Sequence, residues 1–327
     1  MTFAYQEIWG PFPLWLMQVP HARRDMPSHI SQLFCRKAFL KGTVMIIDFR
    51  VRPPYKGYLN TFNFRKSAPN TDPTKENIFS IGKRPNVSAI EGSIEKFVQE
   101  MDETGTERAV IMGRKADNFG VVDNDEIHEL SQKYPGRFIP FAGVNPNLPG
   151  MVEEIEKCAA LGFRGVGIDA GWLRKPLLYD DPIFDPIYAK CQELGLIASL
   201  TSSFMLGPDL SYSDPDPIQR VALKYPSLKI VVPHGCWPHV HKALALAIRC
   251  PNVYLMPDCY LYIHNFPLSE EYVIAANTYL KYRILYASSY PVRSLEQALE
   301  GWKGRAFTDE ALKNTLHDNA ARLLGEM

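Results

Sequence analysis

Residues 45–327 predict a single (β/α)8 barrel, an α/β fold, on three observations. Short apolar runs recur eight times, amphipathic helical stretches separate them, and glycines stand where those helices should stop. The runs fall at 45–51, 108–112, 137–142, 163–168, 196–200, 229–232, 252–256 and 283–286. Most are apolar without alternation, as expected of parallel strands covered on both faces. Eight such strands fit a closed barrel better than an open doubly wound sheet.

The helices follow from apolar spacing. Ile90, Ile94, Phe97, Val98 and Met101 share one face, as do Met151, Ile155 and Cys158, and Leu312, Leu316, Ala320 and Leu323. Gly105, Gly162 and Gly195 occupy helix-stop positions, and Glu193-Leu-Gly195 runs straight into Leu-Ile-Ala-Ser-Leu. Residues 53–85 form a long Asn/Pro/Lys-rich insertion after the first strand, on the side where barrels build their sites. Such a segment reads as a lid or as a disordered excursion. Gly162-Phe-Arg-Gly165-Val-Gly167 enters a strand instead of leaving one for a helix, so it is no dinucleotide fingerprint.

Residues 1–44 differ from the body. They hold Trp9, Pro11, Pro13, Trp15 and Pro20, sustain no period, and carry five basic against two acidic residues. The basic residues follow the apolar stretch 12–19 instead of preceding it, which argues against a secretory signal. Met45 stands directly before the first strand. The segment therefore reads as an irregular extension or a leader outside the native start, with an ordered arm or an unusual targeting segment as alternatives.

Composition narrows the function classes. A hydrophobic fraction of 46% with 22% charged residues describes a globular chain with a sizeable core. A formal net charge of zero gives no reason to expect nucleic acid or an acidic membrane as partner. Six scattered cysteines without a CxxC pair suggest reduced thiols and a cytoplasmic location.

Five motifs, in order, resemble one family. Met45-Ile-Ile-Asp48-Phe-Arg50-Val-Arg52-Pro-Pro resembles the opening strand of the amidohydrolase-related proteins, the aminocarboxymuconate-semialdehyde decarboxylase group. Lys133-Tyr-Pro-Gly-Arg-Phe-Ile-Pro-Phe-Ala-Gly-Val-Asn-Pro146 is similar to its third-strand region, and Tyr225-Pro-Ser-Leu-Lys-Ile-Val-Val-Pro-His234-Gly to its sixth. Arg283-Ile-Leu-Tyr-Ala-Ser-Ser-Tyr-Pro291 and Leu316-His-Asp-Asn-Ala-Ala-Arg-Leu-Leu-Gly325 resemble its eighth strand and closing helix. The resemblance covers residues 45–327 and implies the barrel.

It also implies a divalent-metal site whose ligand positions hold other residues here. Arg50 and Arg52 stand where that family has two metal-binding histidines, Thr201 where its fifth strand ends in histidine, and Ser289 where its eighth carries aspartate. His234 alone matches. A guanidinium has no free lone pair, so arginine cannot coordinate a cation, and one histidine falls short of about three ligands. No metal and no other cofactor is therefore expected.

The two arginines, two apart on a strand, should both enter the barrel mouth as a clamp for carboxylate or phosphate. Pairing with internal carboxylates (Asp48, Asp169 or Asp258) is the alternative, and both can hold together. In a regular strand Asp48 would share the side of the arginines. His234, at a strand's C-terminal end, reads as a general acid or base or as a hydrogen-bonded structural group. Asp258 is its candidate catalytic partner, or a loop cap; Asp169, Thr201 and Ser289 are candidates for substrate contact. His234, Cys236, His239 and His241 keep a local metal cluster open, and Cys236 reads as a nucleophile or an inert buried thiol.

The expected activity is metal-independent hydrolysis of a lactone, ester or amide, or decarboxylation, of a small anionic molecule. A pseudoenzyme binding a ligand or partner, and a metal hydrolase with rearranged ligands, are the alternatives. The aromatic segment 254–266, with Cys259 and His264, could line the pocket or an interface between copies, which leaves homo-oligomerisation open.

Overall fold

The computed structural model describes residues 45–61, 64 and 82–327. Seven parallel strands follow one another around the sheet: β1 (Ile46–Val51), β2 (Thr106–Met112), β3 (Phe138–Val144), β4 (Gly165–Ile168), β5 (Ile197–Leu200), β6 (Ile230–Pro233) and β7 (Val253–Met256). Between them lie α1 (Val87–Glu91), α2 (Ile94–Thr104), α3 (Asn124–Lys133), α4 (Met151–Ala160), α5 (Asp185–Glu193), α6 (Pro215–Lys224) and α7 (Val240–Arg249). After β7 come α8 (Cys259–Tyr262), α9 (Ser269–Asn277), α10 (Leu295–Lys303), α11 (Asp309–Lys313) and, beyond a π turn, α12 (Asn319–Leu324).

The eighth expected strand is not a regular one. Residues 283–290 make isolated parallel bridges, Leu255↔Ile284 and Val51↔Tyr290. The Leu285 amide donates to Leu255 O at 3.0 Å and the Phe49 amide to Tyr286 O at 3.0 Å, so the segment still closes the ring between β7 and β1. Ser289 bends it out of extended geometry with φ of 50°. Seven regular strands plus this segment make the barrel.

Residues facing outward, among them Ile46, Val51, Ala109, Ile111, Val166, Ile168 and Val232, pack with Phe97, Met101, Ile127 and Ile155 of the surrounding helices. Inward residues form a second core, in which Ile47, Phe49, Val110, Met112, Phe141, Val231 and Met256 meet Ala320, Ala321, Leu323 and Leu324 of α12. The final helix thus plugs the barrel floor. Lys229 Nζ donates to Leu323 O at 2.9 Å and Arg164 to Leu324 O, placing cations on the negative end of the helix.

Two expectations fail for local reasons. Ile90 is exposed because Gly92 (φ 62°) ends α1 before the face of α2 begins. Asp48 lies on the side of Val51, opposite to the expectation for a regular strand. Asp48 pairs with Ala109 and Val51 with Ile111, so three steps along β1 match two along β2. That extra residue is a β-bulge, which reverses the facing of everything beyond it. It sends Asp48 outward and leaves Arg50 and Arg52 beyond the inward-packed Phe49.

Residues 1–44 lie outside the described residues, as does most of the insertion; within its described part, Lys56–Asn60 forms a 3-10 turn. Among the described residues no helix is long and apolar enough to cross a membrane.

β2 and β3 approach so closely at their upper ends that a Cβ on Gly113 would lie 2.1 Å from Gly143 N and 2.7 Å from Phe141 O. Both obstacles are backbone. Gly113→Ala is expected to destabilise the fold by at least about 2 kcal/mol, read as a lowered midpoint in urea unfolding.

Candidate active site

The C-terminal ends of the strands deliver a set of buried polar side chains. Arg50 and Arg52 come from β1 and its end, Arg114 from just past β2, Asp169 after β4, Thr201 after β5, His234 after β6, Asp258 after β7 and Ser289 from the eighth segment. They sort into two groups.

The first centres on Asp258. Its Oδ1 meets His234 Nδ1 at 2.8 Å and accepts the Cys259 amide at 2.6 Å. Its Oδ2 accepts the Ser289 hydroxyl at 2.7 Å and faces Arg50 Nη1 at 3.6 Å, while Arg50 Nη1 donates to Ser289 Oγ at 2.9 Å. Burial would raise the Asp258 carboxyl, but His234, Arg50 and Ser289 outweigh it and hold the group at about 2. Burial, reinforced by Arg50 and Arg52 and opposed by Asp258, depresses His234. The imidazole is then neutral near pH 7. With its Nδ1 proton given to an ionised carboxylate, Nε2 carries the free lone pair.

His234 (φ 65°), Asp258 (φ 41°) and Ser289 (φ 50°) all adopt left-handed backbone conformations. Such conformations are costly for residues other than glycine and concentrate where function demands a particular side-chain aim.

The second group centres on Asp169. Arg114 Nε donates to its Oδ2 at 2.9 Å, and Arg52 Nη2 stands 3.6 Å from the same oxygen. Burial pushes this carboxyl up, yet Arg114, Arg52, Arg50 and the Thr201 hydroxyl together hold it well below the usual range. Arg114 also lies over the Trp172 ring, 4.8 Å from its centroid. The internal pairing is present: Arg50 faces Asp258 and Arg52 faces Asp169. Asp48 meets neither guanidinium; its Oδ1 accepts the amides of Arg50 (3.1 Å) and Ser288 (3.0 Å), tying the bulge to the eighth segment.

The family model for amidohydrolases matches residues 48–325. The chain belongs to this amidohydrolase family. An uncharacterized TIM-barrel protein from Bordetella bronchiseptica superposes with a TM-score of 0.78 at 33% identity, over 86% of this chain and 99% of that one. A probable 2-pyrone-4,6-dicarboxylic acid hydrolase from Acinetobacter baumannii, with citric acid bound, gives 0.60 at 17% identity, covering 86% and 99%. 5-Carboxyvanillate decarboxylase from Sphingomonas paucimobilis gives 0.58 at 16%, with the same coverage. At these identities the last two share the fold. No curated protein matches the chain.

The local cluster expected around His234 does not assemble. Cys236 is buried with its thiol pushed up to about 12, His239 Nε2 contacts Leu210 O, and His241 is exposed beside Glu271. Among the described residues, the donors close enough to share an ion are His234, Asp258 and Cys259, within 4.8 Å of one another. They do not fit a divalent cation. Burial and the adjacent Asp258 push the Cys259 thiol well above its usual range, both Asp258 oxygens are already bonded, and Arg50 stands beside them.

Arg114 and Tyr58 escaped the sequence reading. Arg114 was findable, since it follows a strand by two residues just as Asp258 does. Tyr58 lies in the insertion and gave no signal.

Burial raises the Asp48 carboxyl to about 6. A carboxyl whose folded pKa exceeds its unfolded value stabilises below the unfolded value, near 4, and loses that contribution as pH rises through 6. Asp258, depressed, does the reverse and weakens the fold as pH falls from about 4 towards 2. Urea unfolding should show wild type losing about 2 kcal/mol between pH 4 and 6.5 relative to Asp48→Asn. Parallel pH profiles of the two proteins would refute this origin.

Proposed function

We propose that this amidohydrolase is an enzyme that hydrolyses a lactone, ester or amide of a small anionic substrate without a divalent metal. The observation that carries this reading is the buried chain from Arg50 through Ser289 and Asp258 to a neutral, oriented His234. His234 Nε2 takes a proton from water as its oxygen attacks the substrate carbonyl, and the imidazolium so formed, stabilised by Asp258, returns the proton to the leaving oxygen or nitrogen. The guanidinium groups hold the substrate anion and stabilise the developing negative charge, work worth several kcal/mol in a water-poor mouth. Decarboxylation, the activity named for several of the solved neighbours, needs a proton delivered to carbon. A neutral His234 whose N–H is committed to Asp258 supports that less well.

In a panel of lactones, esters and amides bearing a carboxylate or phosphate, His234→Ala should lower kcat/KM at least about 100-fold. His241→Ala, at an exposed position, should leave it unchanged. Tag-free protein should carry no stoichiometric zinc, manganese or iron; a tightly held ion whose removal abolishes turnover overturns the metal-free reading. Ligand-induced stabilisation without turnover of any panel member would make the chain a binding protein instead.

A further inference from the structure

The two arginines of β1 are not equivalent. Arg50 spends Nη1 on Ser289 and faces Asp258, so its charge serves the His234 group. Arg50 leaves one buried donor, Nε, without a hydrogen-bond partner among the described residues, whereas Arg52 leaves two. Its Nε and Nη2 are buried without a hydrogen-bond partner among the described residues, and its 3.6 Å approach to Asp169 exceeds a hydrogen bond. That carboxylate oxygen is already taken by Arg114 Nε at 2.9 Å. Nε and Nη2 lie along one edge of the guanidinium, a flat pair of donors whose spacing matches the two oxygens of a carboxylate.

A further orphan donor belongs to the same neighbourhood. Tyr58, on the 3-10 turn just past β1, is 1% exposed, and its hydroxyl has no hydrogen-bond partner among the described residues. Its phenol interacts electrostatically with Arg52 and then Arg114. Burying a hydroxyl unpaired is costly, and phenylalanine would fill the same space without that cost. Two guanidiniums against the single carboxylate of Asp169 also leave this end one positive charge in excess.

We infer that the substrate's anionic group is a carboxylate seated on the Nε/Nη2 edge of Arg52, with the Tyr58 hydroxyl as a third donor, which makes Tyr58 a specificity-determining residue. This rests on the anionic substrate proposed above and separates the roles of the β1 arginines. Arg52 holds the substrate, while Arg50 supports the reacting end.

Titration calorimetry and thermal unfolding with malonate and with inorganic phosphate test it on wild type, Tyr58→Phe and Arg52→Gln. Malonate should bind wild type more tightly than phosphate does. Tyr58→Phe should weaken malonate about tenfold or more while its Tm without anion stays the same or rises, because an unpaired buried hydroxyl has been removed. Arg52→Gln should abolish malonate binding. A lowered Tm in Tyr58→Phe with unchanged malonate affinity makes the hydroxyl structural and overturns the inference, leaving the anion reading intact if Arg52→Gln still loses binding. Tighter phosphate binding overturns the carboxylate assignment. Binding of neither anion to wild type overturns the inference and the anionic substrate together. Crystals of wild type grown with malonate do not depend on the variants folding. A carboxylate within hydrogen-bond distance of Arg52 Nε and the Tyr58 hydroxyl is expected, and malonate on Arg50 instead refutes it.

Discussion

The Asp258 carboxylate is the knot on which the mouth of this barrel depends. Four groups converge on its two oxygens: the His234 ring, the Cys259 amide, the Ser289 hydroxyl and, at longer range, the Arg50 guanidinium. These come from the ends of β6 and β7, from the eighth segment and from β1, so one side chain stitches together the stretch of ring where regular strand pairing is weakest. A buried ion is tolerated only when its partners compensate for lost hydration, and breaking such a pair commonly costs 3–5 kcal/mol. The left-handed backbones of His234, Asp258 and Ser289 indicate that the surrounding fold holds these groups against their local preference.

The inner and outer cores explain how such a polar mouth can exist. Below it, Phe49, Met112, Phe141, Val231 and Met256 fill the barrel, and α12 seals the floor. Above that apolar layer the side chains are buried and charges interact strongly, which is why burial and a few close partners move a carboxyl or imidazole so far. Asp48 and Asp258 make the contrast. Both are fully buried, yet Asp48, bonded mainly to backbone amides, is pushed up, whereas Asp258, beside His234 and Arg50, is pulled down.

Much of this was legible in the chain. Apolar runs located seven strands to within two residues at either end, because a doubly covered strand leaves a continuous signature that needs no partner to be recognised. The eighth run was placed where the segment closes the ring, but it makes only isolated bridges there and leads into the left-handed Ser289, whose bonds to Arg50 and Asp258 no local pattern encodes. The strand-end positions of His234, Asp258 and Asp169 could be read from topology, and those of Thr201 and Ser289 from the family resemblance. Their pairings could not. That Arg50 serves Asp258 and Arg52 serves Asp169 depends on barrel curvature and register, and the side of Asp48 depends on a bulge that composition does not announce. His239 and His241 show the converse, since nearness in the chain gave them no shared direction.

That bulge has a consequence for how such a mouth can change over generations. With one residue more on β1 than on β2 between paired positions, the strand acts as a phase shifter, and its length decides which side chains reach the barrel mouth. Losing a single codon between Asp48 and Val51 would leave one residue between them instead of two, so that either Phe49 or Arg50 disappears from the barrel interior while Asp48 and Val51 keep their side. Binding preference in this fold is thus written partly in indels, where residue-by-residue comparison of chains is least able to see it.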